Sequence, residues 1–310
     1  MEKGHNCALV LGPTASGKTK LAVELASQLN GAIFSLDSRQ VYKQLDIGTG
    51  KDLYEFQVGE KQIPYYLINI AELEENYNLS RFLSDFETAW IDAQTKGLFP
   101  ILCGGTGLYM DALMQDHEYV NIPANLALRE RLEPLEHKEL LLEFEKHNAR
   151  FPKVDTHNKR RLIRAIEIGV YLKGNPLPPS EKTVQPKLFT IGIDIPVEER
   201  RSRITDRLQH RLKNGLVEEV DVLLKSGVSK EWLLSLGLEY KFVTQHLLGQ
   251  LSYTEMQGQL LTAIHQFAKR QMTWFRKLER EGLDIRWLSP LSHWRGDGGE
   301  AITDILSELD

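Results

Sequence analysis

Gly12-Pro13-Thr14-Ala15-Ser16-Gly17-Lys18-Thr19 has the spacing G-x-x-x-x-G-K-[ST], and these residue types in this order can hold a polyphosphate. The glycines let the backbone bend until successive N–H groups point at one anion. Lys18 adds a point charge, and the Thr19 hydroxyl can hold Mg²⁺. A helix opening near Lys18 would turn its positive end toward the same anion. The competing reading is a glycine-rich turn with no ligand. The apolar run before the motif and the helical pattern after it favour a phosphate loop. Such a loop grips a polyphosphate without deciding which neighbouring bond breaks, so a kinase is only one outcome.

Two more stretches carry chemistry. Asp37 ends the apolar run Ala32-Ile33-Phe34-Ser35-Leu36, and ligands of an open parallel sheet collect at the carboxyl ends of its strands. A second strand lying beside the first would bring Asp37 to face the phosphate loop. A carboxylate there can serve as a general base, ligate Mg²⁺, or cap the next turn. Gly104-Gly105-Thr106-Gly107 follows another short apolar run at 100–103. It reads either as a tight packing turn or as a third wall of the same site, with the Thr106 hydroxyl aimed from the same edge.

The elements that must position these residues alternate. Strand-like runs at 7–11, 32–36 and 100–103 are separated by helical spacing at 18–30 and 81–95, the signature of a parallel sheet with helical crossovers. From about 115 the character changes. Residues 125–150 are charged and helical, interrupted by Pro134, and Asp155 can cap a helix running to 173. A proline-rich connector at 174–187 leads to a strand at 188–195 that could rejoin the sheet. The expected architecture is therefore a P-loop NTPase-like α/β sheet flanked by helices, with a core at 1–115 and 188–310 and a helical insertion at 116–187. The end reads as helices at 197–225 and 253–280 and a last strand at 284–288.

Composition narrows the class. The 310 residues are 42% hydrophobic and 26% charged, which fits a globular chain and argues against disorder. No apolar run approaches the roughly 20 residues a membrane helix needs. The first residues lack a signal-peptide pattern, and Cys7 and Cys103 read as buried thiols, so a cytoplasmic location is expected. The net charge of −5 argues weakly against nucleic acid, although the basic residues are clustered.

Taken together, the motifs resemble the tRNA dimethylallyltransferase (isopentenyltransferase) family, bacterial type. The matching stretches run in order along nearly the whole chain. They are the phosphate loop, Asp37-Ser38-Arg39-Gln40-Val41-Tyr42 with Asp46-Ile47-Gly48-Thr49, and Gly104-Gly105-Thr106-Gly107-Leu108-Tyr109. Then come Arg160-Arg161-Leu162-Ile163-Arg164-Ala165, Gly215-Leu216-Val217-Glu218-Glu219-Val220, and Ala268-Lys269-Arg270-Gln271-Met272-Thr273-Trp274-Phe275-Arg276. The resemblance implies transfer of a dimethylallyl group from dimethylallyl diphosphate to N6 of an adenosine beside the tRNA anticodon, with Mg²⁺ as cofactor and a monomer as the expected state. It places Gly12 to Thr19 on the diphosphate, Asp37 on the acceptor amine as base, and Thr14 and Thr106 near the diphosphate and the reacting centre. It also expects an arginine from the helix after the insertion on the diphosphate, and Arg203 and Arg207, one turn apart, both fit.

Ser38, Arg39 and Gln40 match a segment that handles the flipped-out base, and Arg160, Arg161, Leu162, Ile163 and Arg164 match an RNA-contacting helix of the insertion. Lys269, Arg270, Arg276, Lys277 and Arg280 form a second basic cluster. Each basic run also reads as an ordinary solvated helix face. Three departures stand out: Arg39 where methionine is common, Tyr65-Tyr66 where a His pair is frequent, and Gly237-Leu238-Glu239-Tyr240-Lys241 in place of a shorter Gly-Tyr-Lys segment. No Cys/His zinc module follows. Rival readings are an isopentenyltransferase acting on free adenine nucleotide, a small-molecule kinase, and an RNA-binding protein with an inert loop.

Overall fold

The computed structural model describes residues 4–115, 117–147, 154–179, 183–288 and 300–309. Position 116, the end of the expected helical stretch at 148–150 and part of the connector at 180–182 lie outside these residues. The chain divides into two compact units, one of residues 1–114 and 184–310 and the other of residues 115–183.

The larger unit is built on a sheet whose strands are β1 (Cys7–Leu11), β2 (Gly31–Leu36), β5 (Tyr65–Tyr66), β6 (Phe99–Gly104), β7 (Leu188–Ile193) and β8 (Arg286–Leu288), with a small hairpin of β3 (Gln57–Val58) and β4 (Lys61–Gln62) beside it. The order is β5-β2-β6-β1-β7-β8, and every pairing in the main sheet is parallel. Parallel strands need crossovers, and helices supply them. The expectation that β2 lies beside β1 is corrected: β6 sits between them, and Gly104 pairs with Leu11 on one side and Leu36 on the other. The strand ends that carry the motifs therefore still share one edge.

Alternate residues of β1 enter opposite cores. Cys7, Leu9 and Leu11 pack with Phe34, Phe82, Trp90 and Phe275, whereas Ala8 and Val10 pack with Leu21, Leu25 and Ile305. Burial on both faces explains why this strand reads as an unbroken apolar run. The flanking helices are α1 (Lys18–Gln28), α2 (Leu79–Thr95), α3 (Gly107–Met114) and α12 (Glu300–Leu309). Both cysteines are buried and free, and burial pushes their thiols up, to about 12 for Cys7 and about 11 for Cys103.

A separate helical core holds α7 (Val197–Lys213), α8 (Leu216–Lys225), α9 (Lys230–Leu236), α10 (Leu238–Leu247) and α11 (Tyr253–Arg280). The expected single helix at 197–225 is two, because Gly215 takes φ +105° and ends the run.

The smaller unit contains α4 (Leu126–Leu132), α5 (His137–His147) and α6 (Lys159–Gly174) around Leu132, Leu140, Leu162 and Ile166. The cap of α6 is Asn158, whose side chain accepts from the Arg161 N–H. Asp155 instead accepts from the His157 N–H in the preceding turn, 3.2 Å. Among the described residues no helix is long and apolar enough to cross a membrane.

Candidate active site

Three strand ends open onto one cavity of about 1240 Å³, lined by the phosphate loop, Asp37 to Gln40, Gly104 to Gly107 and residues of α7, α10 and α11. The loop between β1 and α1 turns tightly: the Ser16 N–H donates to Pro13 O at 3.1 Å, and Gly17 caps α1. Ser16 is fully buried, and its hydroxyl finds no partner among the described residues. Lys18 and Thr19 begin α1 and line the cavity. Burial of Lys18 lowers its pKa below the usual lysine range, with Cys103 and Asp37 opposing the shift and Arg207 adding to it.

Asp37 follows β2. Its Oδ1 accepts from the Arg39 N–H at 2.8 Å, which fixes the carboxylate against its own turn. Thr106 ties this turn to the one after β6: its N–H donates to Leu36 O at 3.1 Å, and its Oγ1 accepts from the Ser38 N–H at 3.3 Å. Gln40 accepts from Ser35 Oγ at 2.8 Å and donates to Gly50 O at 3.1 Å. Thr106 and Asp37 thus stand on one hydrogen-bonded ledge.

The two arginines of α7 separate. Arg207 donates to the Thr14 hydroxyl, whereas Arg203 pairs with Glu199 on its own helix. Both line the cavity. Burial, with the neighbouring Arg211 charge, lowers the Arg207 pKa to about 10. Glu239 also lines the cavity, and burial pushes its carboxyl above the usual range against the pull of Arg211 and Arg207.

Sequence reasoning gave Gln271 no role, yet it bridges two of the turns. Its Oε1 accepts from the Thr14 N–H at 2.8 Å, and its Nε2 donates to Gly105 O at 3.2 Å. The amide fills the space a side chain on Gly105 would occupy. The available signal was a glutamine at 271 in the apolar stripe Ile264, Ala268, Met272 and Phe275. Elsewhere on α11, Arg270 lies 6.0 Å from the Phe267 ring and Lys277 lies 4.7 Å from the Trp274 ring.

In the smaller unit the expected RNA-side residues divide. Arg160 and Arg161 are exposed, and Arg161 pairs with Asp155 at 3.1 Å. Arg164 turns inward, pairing with buried Glu167 and donating to Tyr119 O and Ile122 O at 3.1 and 2.7 Å. Leu162 and Ile163 are 0% and 4% exposed in the core of this unit, which corrects their assignment as RNA-contacting side chains: they are packing residues.

No group of three or more His, Cys, Asp and Glu side chains among the described residues is arranged to hold a metal. The Thr19 hydroxyl lines the cavity and is a neutral oxygen of the kind that fits a phosphate-bound Mg²⁺, which takes few protein ligands and keeps water and phosphate oxygens, whereas the Lys18 ammonium can serve only the phosphate.

Comparison with known proteins gives one family. The IPP transferase family model matches residues 40–278, and an isopentenyl transferase model matches residues 5–70. A tRNA dimethylallyltransferase of Porphyromonas gingivalis is 48% identical over 91% of this chain and 93% of its own. Another, of Shewanella sediminis, is 47% identical over 99% of both. The crystal structure of a full-length tRNA isopentenylpyrophosphate transferase from Bacillus halodurans superposes with a TM-score of 0.68 at 29% identity, covering 98% of this chain and 97% of that one.

Proposed function

The chain belongs to the IPP transferase family, and from that premise we propose that it transfers the dimethylallyl group of dimethylallyl diphosphate to N6 of an adenosine beside the anticodon of tRNA, releasing diphosphate. The observation that carries the residue-level reading is the shared cavity: the phosphate loop and Asp37 open onto one space, with Thr106 on the ledge between them.

The loop amides and Lys18 hold the diphosphate, and Arg207 moves from the Thr14 hydroxyl onto its oxygens. As the allylic C1–O bond breaks, negative charge grows on the leaving group, where these fixed donors stabilise it. The Thr19 hydroxyl would hold Mg²⁺, which when bound would supply further neutralisation of the leaving charge. Asp37, held through Oδ1, orients the amine with Oδ2 and takes the N6 proton as the C1–N6 bond forms. Ser38, Arg39 and Gln40 receive the extruded base. The smaller unit contacts tRNA through Arg160 and Arg161. The protein works in the cytoplasm as a monomer.

Incubation with Mg²⁺, labelled dimethylallyl diphosphate and either unmodified tRNA or AMP tests this reading. Label should enter tRNA and be lost in Asp37→Ala. Label entering AMP alone would overturn the acceptor. ATP hydrolysis without transfer would overturn the reaction.

A further inference from the structure

Beyond the residues that face the cavity, one carboxylate gathers an unusual number of donors. Glu219 of α8 accepts from the N–H groups of Asp46 and Ile47 with Oε2, at 2.9 and 2.7 Å. Its Oε1 accepts from the Gly48 N–H at 3.0 Å and from the Tyr240 hydroxyl at 2.7 Å. Three successive amides folded around one carboxylate form an anion nest, and hydrogen bonds to a charged acceptor are stronger than neutral ones. The other end of this loop is held by a cation. Lys51, 2% exposed, donates to Tyr42 O at 2.6 Å and to Asp46 Oδ1 at 2.8 Å.

What the loop carries gives the arrangement its meaning. Gly48, Thr49 and Gly50 line the cavity, and Gly50 O receives the Gln40 side chain at 3.1 Å. Gln40 belongs to the stretch that follows Asp37. Tyr240, 1% exposed, lines the cavity with its neighbours Glu239 and Lys241, and its ring packs against Gly48. One carboxylate thus sets both the 46–50 loop and the 237–241 segment, which line the same cavity as Asp37 to Gln40, while the phosphate loop is tied separately through Gln271.

We infer that Glu219 is a positioning residue for the acceptor side of the site: by fixing the 46–48 amides and Tyr240 it holds the walls that receive the tRNA base, without touching donor or acceptor. The inference rests on the proposed function. Glu219→Gln must present an NH₂ group either to the Asp46 and Ile47 amides or to Gly48 and Tyr240; the tyrosine hydroxyl can turn and accept from it, so at least one backbone amide loses its acceptor and the remaining bonds lose their charge.

The experiment pairs steady-state kinetics with hydrogen exchange on the full chain. In Glu219→Gln the 46–48 amides should exchange at least about tenfold faster and the KM for tRNA should rise about tenfold, a loss of the size expected for charge-assisted bonds, while the KM for dimethylallyl diphosphate stays within about twofold. Tyr240→Phe keeps all three amide bonds and should raise the tRNA KM in the same direction, by about threefold; it stands in if the first variant does not fold. Faster exchange with an unmoved tRNA KM, or parallel rises in both KM values, would overturn the inference, as would an unmoved tRNA KM in Tyr240→Phe. Failure of the unaltered protein to prenylate tRNA would overturn the function itself and the inference with it, before any variant is compared.

Discussion

Arg203 and Arg207 stand one turn apart on α7 and looked equivalent as residue types; their partners distinguish them. Arg207 reaches the phosphate loop and Arg203 its own helix. Arg207→Ala should therefore lower kcat/KM for dimethylallyl diphosphate about 100-fold or more, the usual effect of losing a donor to a developing charge, and Arg203→Ala only severalfold. Lys18 adds a stability argument. Its folded pKa is lowered by burial, so between that pKa and the ordinary lysine value the unfolded chain binds more protons and stability rises with pH. Below this window the charged amine costs stability. Lys18→Met should thus melt above the unaltered protein at neutral pH without ligand, and inorganic diphosphate should raise the melting temperature of the latter alone. Glu239 has the opposite sign. Its raised pKa means that its contribution is fully present below the unfolded carboxylate pKa and is lost as pH rises through the folded one. Glu239→Gln should raise the melting temperature at pH 7.5, and the gain should shrink as pH approaches about 4.

At the scale of elements, α11 decides how well the two glycine turns are registered, because Gln271 rides on it. Its start is fixed by a capping box in which Ser252 and Glu255 exchange side-chain and backbone hydrogen bonds. Ser252→Ala should cost about 1 kcal/mol in chemical denaturation, whereas Gln271→Ala, which leaves the Thr14 amide and Gly105 carbonyl unpaired, should also raise the KM for dimethylallyl diphosphate. The elements of the sheet were largely legible in the sequence: the apolar runs of β1, β2, β6 and β7 and the stripes of α1, α2 and α11 follow from burial alone. Strand order was not, since a crossover that places β6 between β1 and β2 leaves no mark in either strand. The cap at Asn158 and the break at Gly215 were misread because Asp155 has equal capping chemistry and the apolar spacing runs through the glycine. Lys18, Asp37 and Thr106 could be found by motif, but Gln271 and Glu219 act on backbone groups far along the chain, and such partners exist only after folding.

At the scale of the whole molecule, a net charge of −5 leaves tRNA affinity to local clusters. Arg160→Ala with Arg161→Ala should weaken tRNA binding and lower the salt slope by about 2, whereas Arg164→Ala should mainly destabilise its own unit by removing one of the two arginines on buried Glu167, which keeps Arg129, and the donor to Ile122 O. The placement of β6 between β1 and β2 has a consequence of its own. Leu11 and Leu36 both pair with Gly104, so the roots of the phosphate loop and of Asp37 are two strand spacings apart, about 10 Å. In the proposed reaction about 3 Å of that is taken by the hydrogen bond from amine to carboxylate and about another 3 Å by the approach of nitrogen to carbon. The remainder suits a diphosphate reaching back to the loop. The sheet therefore acts as a gauge of donor length: dimethylallyl monophosphate, seated in the same loop, would hold its carbon short of the amine, so it should bind and yet fail to react.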